Sequence, residues 1–181
     1  MPTSKTVLAI CGSTRAQSSN LNLIKALAEL AKGVFEVEIF TGLAELPHFN
    51  PDLDTESPAP EVTTFRNQLK AADGILICTP EYAMGVPGSL KNAIDWTVSS
   101  MEFYQKPTAL ITASSVGQKA HQALLETLMM IQAHMVEESK LIIPFIRTKV
   151  NEEGVITDAN TLNEVKTLIQ AFFNLMVNPA E

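Results

Sequence analysis

The sequence has no basic run. Its 13 lysines and arginines are scattered among 20 acidic residues, leaving a net charge of −7, which argues against a phosphate-backbone partner such as DNA or RNA. No apolar stretch approaches the roughly 20 residues of a membrane span, and the N-terminus lacks the charged-then-apolar layout of a secretory signal. The expectation is a cytoplasmic protein with no membrane partner. Cysteine is scarce: Cys11 and Cys78 stand far apart without metal-ligand spacing, so they read as buried free thiols rather than a disulfide or metal site. Glycine is missing where a dinucleotide turn needs it, since Gly12 is the only one in residues 1–32. The G-x-G-x-x-G fingerprint fails, and the second apolar run ends in Phe40-Thr41 with no acid for a ribose. The phosphate-loop pattern of nucleotide hydrolases, G-x-x-x-x-G-K-[ST], is absent as well.

What is present has a regular order. Five short apolar runs, 5–13, 34–40, 73–80, 106–114 and 139–146, alternate with helical patterns. Several runs are apolar on both faces, as parallel strands covered by helices must be. The last helical pattern passes through Leu162, Val165, Leu168, Ile169, Phe172 and Leu175, with Thr161 and Glu164 in capping-box spacing at its start. The 181 residues suit a single domain, 1–181. The expected fold class is α/β: a five-stranded parallel sheet in the order 2-1-3-4-5 with helices on both faces. A ligand then belongs in the crevice outside the carboxyl ends of strands 1 and 3, between loops 12–20 and 79–87. Residues 46–60, with four prolines and three acids, read as a surface loop, either a lid or a passive connection.

The first loop, "CGSTRAQSSNLN", opens a helix, where unsatisfied N–H groups and the positive dipole end favour an anion. Ser13, Ser18, Ser19 and Asn20 add hydroxyl and amide donors, and Arg15 adds a planar cation. That chemistry suits a terminal phosphate monoester, although Ser18, Ser19 and Asn20 are also N-cap candidates whatever the ligand. In the second loop Pro80 and Pro87 stiffen the chain, and Tyr82 offers a face for stacking or a partly buried core ring. Glu81 reads equally as a plain surface acid.

The two loops together, G-S-x-R-x-x-S-x-N and T-P-E-Y-x-x-x-V-P-G-x-L-K-N-A-I-D-W, resemble the NADPH-dependent FMN reductase family. The resemblance implies a flavodoxin-like fold, FMN as cofactor and NADPH or NADH as hydride donor. The acceptor would be a small molecule of quinone, azo, nitro or metal-oxyanion type, or FMN itself. Carried over by position, Ser13, Arg15, Ser18 and Asn20 match the family's phosphate loop, with Ser19 and Leu21 contributing backbone N–H groups. Pro80, Glu81, Tyr82, Ala83 and Met84 match the segment along the isoalloxazine ring, with Ala83 standing where the family usually has Asn. Ser115, Val116 and Gly117 resemble its third loop without the usual following Gly-Gly, and Lys119 and His121 there would alter substrate access. Hydride chemistry belongs to the flavin, so no side chain is assigned as catalytic, no metal is expected, and His48, His121 and His134 read as surface or core histidines. A flavodoxin-type electron carrier and a flavin-dependent sensor or adaptor are the alternatives, and Arg15 leans toward the reductase.

The resemblance also implies a homodimer or homotetramer. With Leu90, Ile94 and Val98 as the buried stripe of a helix over 87–99, Trp96 would face away from the sheet, beside Met101, Phe103 and Tyr104, as a subunit contact. The competing expectation folds Trp96 against residues 100–105 of its own chain.

Overall fold

The computed structural model describes residues 4–178. Five parallel strands, β1 (Lys5–Cys11), β2 (Phe35–Phe40), β3 (Gly74–Thr79), β4 (Thr108–Ser114) and β5 (Lys140–Pro144), form one sheet in the order β2-β1-β3-β4-β5. Both the class and the order agree with the expectation from sequence. The reason lies in the apolar runs. β3 and β4 are buried along their whole length, whereas β2 at one edge buries Phe35 and Phe40 and leaves Glu36 and Glu38 exposed. Side chains alternate between faces: Val7, Ala9 and Cys11 of β1 enter one apolar core, and Leu8 and Ile10 enter the other.

Helices α1 (Ser19–Leu30) and α5 (Ala159–Val177) cover the first face through Leu23, Leu27, Val165 and Phe172. Helices α2 (Pro60–Ala71), α3 (Gly88–Asp95) and α4 (Gln118–Met130) cover the second through Phe65, Leu69, Leu90 and Leu124. The chain departs from β1 toward opposite sides to reach β2 and β3, which opens a crevice at their carboxyl ends.

Two local expectations are corrected. Helix α5 starts on Asp158, whose Oδ1 accepts from the Thr161 N–H at 2.8 Å and from its hydroxyl at 2.6 Å. Thr161 is therefore inside the helix rather than its cap. Helix α3 ends at Asp95 with Trp96 as its helical C-cap, and the side on which Trp96 lies is covered rather than open: Trp96 is 1 % exposed, whereas Val98, expected in the buried stripe, is 44 % exposed.

Loop 46–60 lies at the surface, as expected, and is clipped down. The Trp96 indole N–H donates to the Pro47 carbonyl at 2.8 Å, Asn92 Nδ2 donates to the same oxygen, and Asn92 Oδ1 accepts from the Phe49 N–H at 2.7 Å. Phe49 meets the indole edge to face at 5.1 Å. Arg66 then joins the two sides, donating through Nε and Nη2 to the Trp96 carbonyl and through Nη2 to Asp54 Oδ1 at 2.7 Å. Its guanidinium carbon lies 6.0 Å from the indole centroid. Trp96 is thus a core residue under its own 47–54 segment rather than a subunit contact, and it shares its apolar cluster with Phe103 of the 100–105 segment, whose Ser100 hydroxyl donates to the Trp96 carbonyl.

Candidate functional site

The single glycine of the first loop belongs to the sheet. The Gly12 N–H donates to the Cys78 carbonyl at 2.8 Å, and a Cβ on Gly12 would stand 2.4 Å from Thr79 Oγ1. Only glycine lets β1 leave the sheet that close to β3. Beyond it, Ser18 caps α1, its Oγ accepting from the Leu21 N–H at 3.4 Å. The N–H groups of Ser19 and Asn20 have no acceptor within the helix and face the crevice end of the dipole.

Asn20 departs from the reading of its side chain as a ligand donor. It is 4 % exposed, its Nδ2 donates to the Ala113 carbonyl at 3.0 Å, and its Oδ1 accepts from the Cys78 thiol. The amide ties the start of α1 to β3 and β4 through one of its two N–H donors and its oxygen, and the Asn20 backbone N–H remains open to a ligand. Leu21 is likewise committed to the cap and is not on the cleft wall. Ser13 is buried, with Oγ 3.4 Å from Tyr82 Oη and 3.5 Å from the Arg15 N–H. The Arg15 side chain is exposed and has no carboxylate partner among the described residues.

On the far side of the crevice Pro80 is buried and Glu81 reaches across, its Oε2 accepting from the Ala120 N–H at 2.9 Å. Helix α4 has no side-chain cap from its own Gly117 (φ 94°), so Glu81 supplies one from another loop. It is an anchoring carboxylate rather than a free surface acid. Tyr82 and Gly85 exchange backbone hydrogen bonds at 3.0 and 2.9 Å, with Ala83 (φ 49°) and Met84 (φ 62°) both left-handed between them. A type I′ turn requires that geometry. Ala83 and Met84 point to solvent and do not line the cleft.

The cleft is about 380 Å³. Ser13, Arg15, Ser18, Ser19, Asn20, Pro80, Glu81, Tyr82 and Ser115 of the expected set line it, and Leu21, Ala83, Met84, Val116 and Gly117 do not. Sequence reading missed Ala113 and Ser114 at the end of β4, and the turn Phe145, Ile146, Arg147 and Thr148 after β5. The signal for that turn was available: "FIRT" follows a strand at the carboxyl edge where ligands bind.

Burial pushes the Cys11 thiol up, outweighing its bonds to Ser13 and Ser18, and pushes Cys78 well above the ordinary range with the help of Cys11. Neither is a thiolate at neutral pH. His121 is buried with Nδ1 2.9 Å from Thr112 Oγ1, and burial, then the Lys140 charge, lowers its pKa against the pull of Glu137. It packs inside rather than controlling access. His48 and His134 are not on the cleft wall either.

Residues 6–148 match the family of NADPH-dependent FMN reductases. The chain is 30 % identical over 173 residues to a quinone reductase of Escherichia coli, covering 92 % of each protein. It is 30 % identical over 171 residues to an NAD(P)H-dependent FMN reductase of Pseudomonas aeruginosa, covering 91 % of each. Among solved structures, FerB, a flavoenzyme NAD(P)H:(acceptor) oxidoreductase from Paracoccus denitrificans, superposes with a TM-score of 0.86 and 29 % identity, over 96 % of this chain and 98 % of its own. A match that runs from the first strand to the turn after the fifth, on a shared fold, makes this chain a member of the NADPH-dependent FMN reductase family.

Proposed function

We propose that the cleft binds FMN and that the chain is an NAD(P)H-dependent reductase of a small quinone-type acceptor, working as a single domain in the cytosol. The observation that carries the reading is the pairing of two ends in one cleft. At one end the free Ser19 and Asn20 N–H groups, the Ser13 and Ser18 hydroxyls and Arg15 converge. At the other end Pro80, Glu81 and Tyr82 make a stiff wall held in place by the Glu81 bond to α4. The first set suits a phosphate monoester and the second a flat polar ring, and FMN joins the two.

When bound, FMN supplies the redox chemistry, taking a hydride from NAD(P)H and delivering two electrons to the acceptor. The residues of the chain bind and orient. Arg15 offers the phosphate a fixed charge, and Ser13 and Ser18 offer hydroxyls. Glu81 keeps the loop after β3 at a set distance from α4.

Arg15→Ala tests the phosphate end. A charge-assisted hydrogen bond is worth about 1.5–3 kcal/mol, so FMN should bind roughly 10- to 100-fold more weakly while riboflavin is unchanged. Equal losses for the two flavins would remove Arg15 from the phosphate. Rapid mixing of the flavin-loaded wild type with NADPH tests the activity: bleaching of the bound flavin is expected, and an unresponsive flavin would favour an electron carrier or sensor.

A further inference from the structure

The turn after β5 presents a second arginine to the cleft. Arg147 lies 132 residues beyond Arg15, on a different element, yet both line the same cavity. Like Arg15 it is exposed and has no ion-pair or hydrogen-bond partner for its guanidinium among the described residues, although acidic residues outnumber basic ones in the chain. The turn that carries it is held rigidly. Ile146 is buried at 4 % exposure in the core beneath α1. The Phe145 carbonyl accepts from both the Thr148 N–H at 3.0 Å and the Thr148 hydroxyl at 2.9 Å. Phe145 itself is left-handed at φ 55°, ψ 39°, a strained conformation for a bulky residue that persists where its surroundings enforce it. This turn packs against α1, and Asn22 in the first turns of that helix donates to the Asn151 carbonyl just downstream. Arg147 is therefore fixed on the side of the cleft where α1 begins, away from the loop after β3.

We propose that Arg147 is a second guanidinium for a phosphate monoester, facing Arg15 across the start of α1. The proposal rests on the FMN reading above. A phosphate monoester carries close to two negative charges at neutral pH, and one arginine with a helix N-terminus offers about one and a half positive ones. Arg147 supplies the balance from a second element, with a planar fork suited to phosphate oxygens. Two molecules in the reaction carry such a group, FMN at the end of its ribityl chain and NADPH at its ribose. Proximity to the first turn of α1 places the FMN phosphate first.

The experiment compares wild type, Arg147→Ala and Arg147→Lys in four measurements: dissociation constants for FMN and for riboflavin, and kcat/KM with NADPH and with NADH. The expected result is a loss of about tenfold or more in FMN affinity for Arg147→Ala, partial recovery in Arg147→Lys, and riboflavin and the NADPH-to-NADH ratio unchanged. A tenfold fall in the NADPH-to-NADH ratio with FMN affinity intact supports the same monoester chemistry and assigns it to the hydride donor. Equal losses for FMN and riboflavin, or no loss in any measurement, overturn the proposal. Failure of the wild type itself to bind either flavin overturns the FMN reading as well, whereas a wild type that binds FMN beside an unaffected Arg147→Ala overturns only the role of Arg147.

Discussion

Ala83 shows how a single backbone angle changes the meaning of a side chain. In sequence it is a missing asparagine; in the structure it is a residue at φ 49° in a turn that asparagine favours. Left-handed backbone costs an L-residue with a Cβ about 1–2 kcal/mol, and asparagine recovers part of that through local hydrogen bonding. Ala83→Asn should therefore raise stability by roughly 0.5–1 kcal/mol, or about 1–4 °C in Tm for a chain of this size. A lower Tm in a thermal melt of the flavin-free protein would contradict the type I′ assignment. Ala83→Pro is a poor probe of a ligand contact through the N–H, because proline holds φ near −65° and breaks the turn whatever the ligand does. Alanine carries no trace of a left-handed preference, so this angle was not legible in the sequence. Asn20 failed differently: its residue type correctly announced a helix start, but the same amide can cap, donate to a ligand or bridge strands, and the Ala113 and Cys78 partners that decide among these lie far away in sequence.

At the level of elements, strands were readable because β1, β3 and β4 are short apolar runs, too short for a core helix and alternating with helical patterns. Ends were less readable. Trp96 was misplaced because the segment that covers its indole, Pro47 and Phe49 of loop 46–60, lies almost 50 residues earlier in the chain. The hold on that loop is partly ionic, and it has a pH signature. Burial raises the Asp54 carboxyl, but hydrogen bonds from Ser99 and Arg66 and the guanidinium charge outweigh it, so the folded pKa is lowered. The unfolded carboxyl, near pH 3.9, binds its proton first as acid is added. The contribution to stability is therefore full above about pH 4 and disappears as pH falls through the folded value. Asp54→Asn should cost about 1–2 kcal/mol at neutral pH and flatten the acid limb of a stability curve from urea melts between pH 2 and 7. An unchanged acid limb would show that the clip does not depend on this charge.

For the whole molecule, the displaced Trp96 moves the proposed subunit contact rather than removing the reason for one. Exposed apolar side chains bracket α3, with Tyr82 and Met84 before it and Val98, Met101 and Tyr104 after it. Together they form the kind of surface that assembly covers. Tyr104→Glu places a carboxylate on that surface at a residue that packs little against its own chain. If the segment after α3 joins two copies, the variant should shift to the monomer mass by light scattering, with dimer affinity weakened at least about tenfold. A mass equal to that of wild type would exclude this segment. Trp96→Glu is not an equivalent test, since a charge there would enter the core beside Phe49 and Arg66.

The clip over Trp96 has an optical consequence. The chain has one tryptophan, and its indole is sealed beneath residues 47–54 with its N–H on the Pro47 carbonyl. All tryptophan fluorescence of this protein therefore originates from one dry, asymmetric place, and its colour registers whether that segment is seated. Light emitted at longer wavelength while the helical circular dichroism persists would mark a molecule whose sheet is intact and whose loop has lifted.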